Sequence, residues 1–407
     1  MDELLKWRDE FPILGRSTYM ISNSLGAMPR GVEAEMRGYA EIWATRGVRA
    51  WEEGWWELPI EVGNAIGAII GAGPGEVSVH QNVTTAQAII ASCFDFTGPR
   101  NKIVMVEADF PSVQYFYHQQ QRRGARFELI ESGDALRIPL EKVLAAIDET
   151  TLLVPISLVL FRSAYIVNAK AIIEKAHKVG AHVVLDVFQA AGTVPVNVRA
   201  LGADFAVGGV LKWLCGGPGV GYLYVREDLQ KKLEPMITGW FAHKRPFNFE
   251  PGGIDRTEDA LRFMNGTTHI PALYAARPGL AIIREVGVEN IRAISQRQTE
   301  RLVDVALTRG WRVNTSHDPA ERGGTVSIFC PSAREVCREL LARDVLVDFR
   351  PGAGIRFSPH FYNKDEEIDF ALDQVSDILA TRAWERHVEP QAARPDPVGA
   401  RAQTGSE

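Results

Sequence analysis

Residues 183–225 read VVLDVFQAAGTVPVNVRALGADFAVGGVLKWLCGGPGVGYLYV. The stretch opens on an apolar, β-branched run that ends in a carboxylate, Asp186, with Gln189 at the mouth of the same turn. A second apolar run, ADFAVGG, leads to Lys212, the only charged residue between Asp204 and Arg226. Gly216, Gly217, Pro218 and Gly219 follow, then a third strand-like run, VGYLYV. A lysine among apolar residues and glycines is poorly placed for a solvated surface, and desolvation lowers a lysine pKa. Such a lysine can snorkel from a strand end or pair with a carboxylate. Alternatively it serves as a neutral amine nucleophile.

Asp186 and Lys212 lie 212 − 186 = 26 residues apart, each near the end of a strand-like run. Parallel strands bring their C-terminal ends to one crevice, where ligands bind. A carboxylate and an unpaired lysine there suit pyridoxal phosphate (PLP), held as a lysine Schiff base with an acid on its pyridine nitrogen. The pattern D-x-x-Q, then K-W-L-x-G-G-P-G-x-G-x-L-Y-V, resembles the class V aminotransferase family of fold-type I PLP enzymes, which includes cysteine desulfurases and kynureninases.

With 407 residues the chain has room for two domains, or one large domain with an appendage. An apolar fraction of 46% and a charged fraction of 24% are ordinary for a globular enzyme. A net charge of −6 argues against nucleic acid as a partner. No apolar run reaches the ~18–20 residues needed to cross a bilayer, and the charged start, MDELLKWRDEFP, is unlike a signal peptide. Cys93, Cys215, Cys330 and Cys337 show no metal-like spacing, so no metal is expected, and free thiols point to a cytoplasmic protein.

In chain order, 1–14 reads as a short helix, TYMI as a short strand and NSLG as a turn before a helix near Pro29. Asn23 and Ser24 either satisfy that turn or, as N-S-L-G-x-x-P resembles the start of kynureninases, lie against the substrate. Trp51, Trp55 and Trp56 mark packing, a subunit interface, or the wall of a pocket. Thr84 and Thr85 sit at a presumed helix start, as an ordinary N-cap or, as the resemblance implies, at the PLP phosphate. Phe110 begins F-P-S; it is either core or, by resemblance, the ring that stacks on the pyridine. Trp240 and His243 match a kynureninase G-W-x-x-H motif. Thr267, in G-T-x-x-I-P, is either an N-cap or a residue reaching a phosphate across a dimer interface, as in desulfurase-like members. Residues 273–309 read as a long helical segment broken near Val288. Arg356, in IRFSPHFYN, is either a strand arginine in a salt bridge or, by resemblance, the group that grips a substrate α-carboxylate through its two-point fork.

Strand–helix alternation from about 76 to 225 predicts an α/β fold, a mostly parallel sheet sandwiched by helices, with a smaller α+β domain. The expected division is an N-terminal segment (1–60) packing with the small domain, a large PLP-binding domain (61–272), a small C-terminal domain (273–388) and a disordered tail (389–407). The resemblance spans about 18–382 and implies a homodimer acting on an amino acid. Lys212 and Asp186 would be catalytic. Thr84, Thr85, Phe110, Asp186, Gln189, Lys212, Trp240 and Thr267 would hold the cofactor, and Asn23, Ser24 and Arg356 the substrate. Several motifs lean to kynureninase-type hydrolytic Cβ–Cγ cleavage of a 3-acyl-alanine. Val113, Leu211 and Gln189 depart from that pattern, and Leu158 stands where class V enzymes often carry a histidine. Transamination, epimerisation or another lyase reaction on a different amino acid is the alternative. A standard desulfurase is disfavoured because 345–355 holds no cysteine. A non-catalytic protein of this fold is the remaining reading, against which stand both Asp186 and Lys212.

Overall fold

The computed structural model describes residues 2–134 and 136–388, so the expected tail lies outside the described residues. The chain begins with 3-10 turns and a short strand, β1 (Thr18–Tyr19). The main sheet then takes β2 (Val77–His80), β3 (Lys102–Val106), β4 (Arg126–Ile130), β5 (Thr151–Ser157), β6 (His182–Asp186), β7 (Phe205–Gly209) and β8 (Gly221–Val225). Their order is β2-β8-β7-β6-β5-β3-β4. The strands from β3 to β7 pair in parallel, and β8 runs antiparallel to both β7 and β2. Strands β3, β5 and β7 are buried along their whole length. Helices cover both faces, so KIVMV, TLLVPIS and FAVGG are continuous apolar runs rather than alternating ones. All strands but β8 point the same way, so whatever follows His80, Val106, Ser157, Asp186 and Gly209 collects at one edge.

The second sheet comprises β9 (Arg312–Val313), β10 (Val326–Phe329), β12 (Asp348–Arg350) and β13 (Gly354–Phe357), ordered β12-β13-β10-β9 and antiparallel throughout. Strand β11 (Val345–Leu346) pairs instead with β1. This small body has its own core, with Leu302, Val326, Ile328, Leu340, Phe357, Ile368 and Leu372 packed together. The long helical segment breaks at Gly287, whose φ of 80° is left-handed, into helices Ile270–Val286 and Val288–Thr308. The first of these packs on helices Gly31–Arg46 and Leu58–Ile70 of the main body. The second spans both bodies: Ile291 and Ile294 belong to the main core, and Leu302 to the small one.

The first twenty residues touch both cores, Phe11, Leu14 and Tyr19 in the main one and Met20 in the small one. Arg8 grips the Glu367 carboxylate at 2.7 and 2.9 Å, and Phe11 lies 4.6 Å from the Tyr362 ring. From β1 the chain crosses to the main body, where the Gly26 N–H donates to the Leu211 carbonyl at 2.8 Å. The fit is close: a Cβ at Gly26 would sit 2.1 Å from the Lys212 carbonyl oxygen and 2.9 Å from the Cys215 Cα. Both neighbours are backbone and cannot swing aside. Gly26→Ala is therefore expected to cost about 1–3 kcal/mol through overpacking. Gly15→Ala, with nothing within 4 Å of its added Cβ, should cost almost nothing. Urea unfolding midpoints measure both, and equal midpoints would contradict this contact.

Candidate functional site

Asp186 is the last residue of β6, buried, and its Oδ1 accepts the Phe188 N–H at 2.8 Å. Burial raises its carboxyl to about 6, against the lowering effects of that hydrogen bond and of Lys212. A second carboxyl, Asp109, lies beside it, three residues past the end of β3 and 1% exposed. Its Oδ1 accepts the N–H of Ser157 at 2.8 Å, and Ser157 is the cross-strand partner of Asp186. Burial pushes Asp109 up to about 7, and the neighbouring Asp186 adds to the rise. No motif marks Asp109; its only sequence signal is a polar residue at a strand end, between an apolar run and Phe110.

Lys212 stands three residues beyond β7. Its amine makes no hydrogen bond or ion pair among the described residues. It faces aromatic rings instead, 4.2 Å from the centroid of Phe188 and 5.9 Å from that of Phe110. Burial pulls its pKa down to about 8; Asp186 opposes this, Arg356 and Arg350 add to it, and Asp348 opposes it again. Lys212 is thus largely desolvated and, among the described residues, not locked in a salt bridge.

Gln189 is one link in a buried chain. Its Nε2 donates to the Asn23 carbonyl at 3.0 Å, and its Oε1 accepts from the Trp213 indole at 3.1 Å. His360 Nε2 lies 2.9 Å from the Trp213 carbonyl, and burial lowers the imidazole to about 4, so it is neutral and donates. Asn23 is 1% exposed, yet neither polar atom of its side chain has a hydrogen-bond partner. An unsatisfied buried amide is costly, and this one offers both a donor and an acceptor to a ligand. Ser24 is half-buried in the same turn, its N–H bonded to the Ile21 carbonyl at 2.9 Å.

Phe110 caps helix Pro111–His118 and meets Phe161 edge to face at 5.2 Å. At helix Val83–Ser92 the N-cap is Asn82, whose Oδ1 accepts from the Thr85 N–H at 2.9 Å. Thr84 and Thr85 therefore lie inside the first turn, which leaves the N–H groups of Val83 and Thr84 without partners in the helix. Trp240 lies elsewhere, in an aromatic group with Trp56 (5.2 Å), Phe247 (5.9 Å) and Phe249 (6.3 Å). Thr267 is exposed on the loop before helix Ile270–Val286.

Arg356 is buried in β13, opposite Asp348 of β12. Its Nε donates to Asp348 Oδ1 at 2.7 Å, its Nη2 to Asp348 Oδ2, and its Nη1 to the Phe161 carbonyl at 2.5 Å. Arg350 Nη2 reaches the same Asp348 Oδ2 at 3.0 Å. Arg356 is thus both a salt-bridged strand arginine and close enough to Lys212 to bear on its charge. Among the described residues no group of three His, Cys, Asp or Glu side chains is placed to hold a metal ion.

A family model described as Aminotransferase class-V matches residues 33–370. The chain is 29% identical over 375 residues to an uncharacterized aminotransferase, YcbU, of Bacillus subtilis (strain 168), covering 91% of this chain and 97% of that one. It is 28% identical over 401 residues to the kynureninase of Geobacillus thermodenitrificans (strain NG80-2), covering 95% of this chain and 94% of that one. Among solved structures it resembles the apo cysteine desulfurase of Thermococcus onnurineus NA1, with a TM-score of 0.82, 21% identity, and coverage of 92% of this chain and 98% of that one. A C-DES mutant with glycine covalently linked to its PLP cofactor matches with a TM-score of 0.82 and 20% identity, over 91% of this chain and 99% of that one. At such identities these structures speak for the fold alone. The chain belongs to the class V aminotransferase family, with the fold-type I architecture, and is a PLP-dependent enzyme.

Proposed function

We propose that this enzyme hydrolyses the Cβ–Cγ bond of a kynurenine-like 3-acyl-alanine, releasing alanine and an acid. The observation that carries the reading is Lys212, a desolvated amine without an ion pair, set beside the strand-end carboxylate Asp186. Kynureninase relatives at 28% identity over nearly the whole chain support the substrate class. The cysteines argue against desulfuration. Burial pushes the thiols of Cys93, Cys215, Cys330 and Cys337 up to about 12, so none is a ready thiolate. Aminotransfer on another amino acid is the second reading, favoured by the YcbU relative and by the departures at Val113 and Leu211.

PLP, when bound, supplies an electron sink for charge developing at the substrate's Cα. The residues present fit it: a buried acid, an unpaired amine, an exposed phenyl ring and a helix start with free N–H groups. In this reading Lys212 holds the cofactor and then moves the Cα proton as general base and acid. Asp186 keeps the pyridine nitrogen protonated, and Gln189 lines the ring. Phe110, which faces Lys212, would pack against the cofactor. Thr84 and Thr85, with the helix start at Val83, take the phosphate. Trp240 and Thr267 contribute from the aromatic surface and its neighbouring loop, in a homodimer whose active sites lie at the interface. Phe247 and Phe249, exposed at 56% and 73%, give that surface the apolar character a dimer would cover. Asn23 and Ser24 face the acyl part of the substrate, and Arg356 takes its α-carboxylate. A cytoplasmic location completes the proposal; no helix among the described residues is long and apolar enough to cross a membrane.

The direct test is incubation of PLP-loaded enzyme with kynurenine, 3-hydroxykynurenine and a panel of amino acids. Alanine plus an anthranilate-type acid is the expected product pair, whereas a keto acid would replace this reading with aminotransfer. PLP capture by the apoenzyme needs the unprotonated Lys212 amine. Its rate should rise about tenfold per pH unit up to the Lys212 pKa near 8 and then level off, whereas an unshifted lysine would keep gaining to about 10.4. In Lys212→Ala, borohydride should no longer fix PLP to the chain; a persistent adduct would move the role to another lysine. Arg356→Lys keeps the charge but loses the planar fork. It should cost about 1.5–3 kcal/mol in kcat/KM on a carboxylate substrate, with the decarboxylated amine little affected. Equal losses on acid and amine would remove Arg356 from carboxylate recognition.

A further inference from the structure

The hairpin β12–β13 does more than carry Arg356. Its register sets Asp348 opposite Arg356 and leaves Arg350, two residues along, on the same face of β12. The Asp348 carboxylate, 12% exposed, accepts both side-on N–H groups of Arg356, those on Nε and Nη2. Arg350, 40% exposed, leans on the same oxygen at 3.0 Å and gives its Nη1 to its own neighbour, the Phe349 carbonyl, at 3.0 Å. Phe161 closes the remaining side: its carbonyl takes Arg356 Nη1, and its ring packs on Phe110, which faces Lys212.

A guanidinium has five N–H groups. Two on Arg356 go to Asp348 and one to Phe161, so one N–H on Nη2 and one on Nη1 remain. The side-on fork is filled, and what is left for a ligand is one N–H on each of Nη1 and Nη2. The charges point the same way. Two guanidinium cations share one carboxylate, so the group carries one uncompensated positive charge, enough for one carboxylate and no more. Without Asp348, two cations would face the Lys212 amine, and nothing would fix the plane of Arg356 before the substrate arrives. An arginine held in plane loses less side-chain freedom on binding.

We propose that Asp348 is a positioning residue for substrate recognition: it occupies the side-on fork of Arg356, is itself steadied by Arg350, and so leaves the remaining Nη1 and Nη2 N–H groups of Arg356 to a single α-carboxylate. This rests on the reading of Arg356 given above. It selects amino acids with one carboxylate near the reacting carbon, because a second anionic group at this point would meet Asp348 itself.

The test uses the PLP-loaded enzyme, with kcat and KM measured on a carboxylate substrate and on its decarboxylated amine. Asp348→Asn should raise KM for the acid about tenfold, with a smaller change in kcat, little change for the amine, and PLP content by absorbance unaltered. Asp348→Glu, which restores the charge on a longer arm, should recover part of the loss. Arg350→Gln alters a partly exposed side chain and folds whether or not Asp348→Asn does; it should raise KM for the acid a few-fold, again sparing the amine. A loss in Arg356→Lys that is selective for the acid, combined with equal losses on acid and amine in Asp348→Asn and Arg350→Gln, would overturn this proposal alone. No selectivity in Arg356→Lys would overturn the reading beneath it.

Discussion

The Lys212 amine sits against two phenyl rings, and the carboxylates that bear on it are bound to other groups. Asp186 accepts a backbone N–H from Phe188. Asp348 is held by two arginines. A buried ion pair would have locked the lysine protonated and immobile, because breaking such a pair leaves an uncompensated charge in a poor solvent. Aromatic faces attract an ammonium less strongly than a carboxylate does. The amine therefore keeps its desolvation and with it a pKa near neutrality. The architecture around it serves this separation: strand ends deliver acids and base to one edge, and backbone N–H groups or arginines take up the acids.

The neutral polar residues nearby play the complementary part. Asn23, Gln189, Trp213 and His360 form a run of hydrogen bonds through the core beside the lysine. None carries a charge at neutral pH, since burial keeps His360 unprotonated. Such a run orients side chains without adding to the field at Lys212, and it ends on the backbone carbonyl of Asn23, whose side-chain amide has no partner.

Much of this was legible in the chain. Continuous apolar runs ending in Asp186 and before Lys212 announced a parallel sheet with both residues at its edge, because strands buried on both faces cannot alternate. The helical break expected near Val288 is found at Gly287, where glycine takes the left-handed backbone easily. Other features were hidden because they depend on contacts distant in sequence. Asp109 matters through Ser157, on another strand. The helix over 270–286 packs on helices from the first seventy residues, and no local pattern shows its destination. Thr84 and Thr85 suggested their own cap, but Asn82 took that place, one residue before the helix. The pairing of Asp348 with Arg356 was within reach: the Gly-containing turn between Arg350 and Gly354 sets the hairpin register, and that register puts the two opposite.

The segment from Tyr19 to Gly26 acts as a tether. One end is paired into the small body through β11, and the other is pinned to the Lys212 loop by the Leu211 carbonyl. Seven residue-to-residue steps join the anchors, at most about 25 Å of chain when fully drawn out, and the NSLG turn takes up part of that length. Any shift of the small body, and with it of Arg356, must therefore bend this turn or pull on the backbone that carries Lys212. Asn23 therefore sits between two anchors, one on the strands beside Arg356 and the other on the loop that carries Lys212.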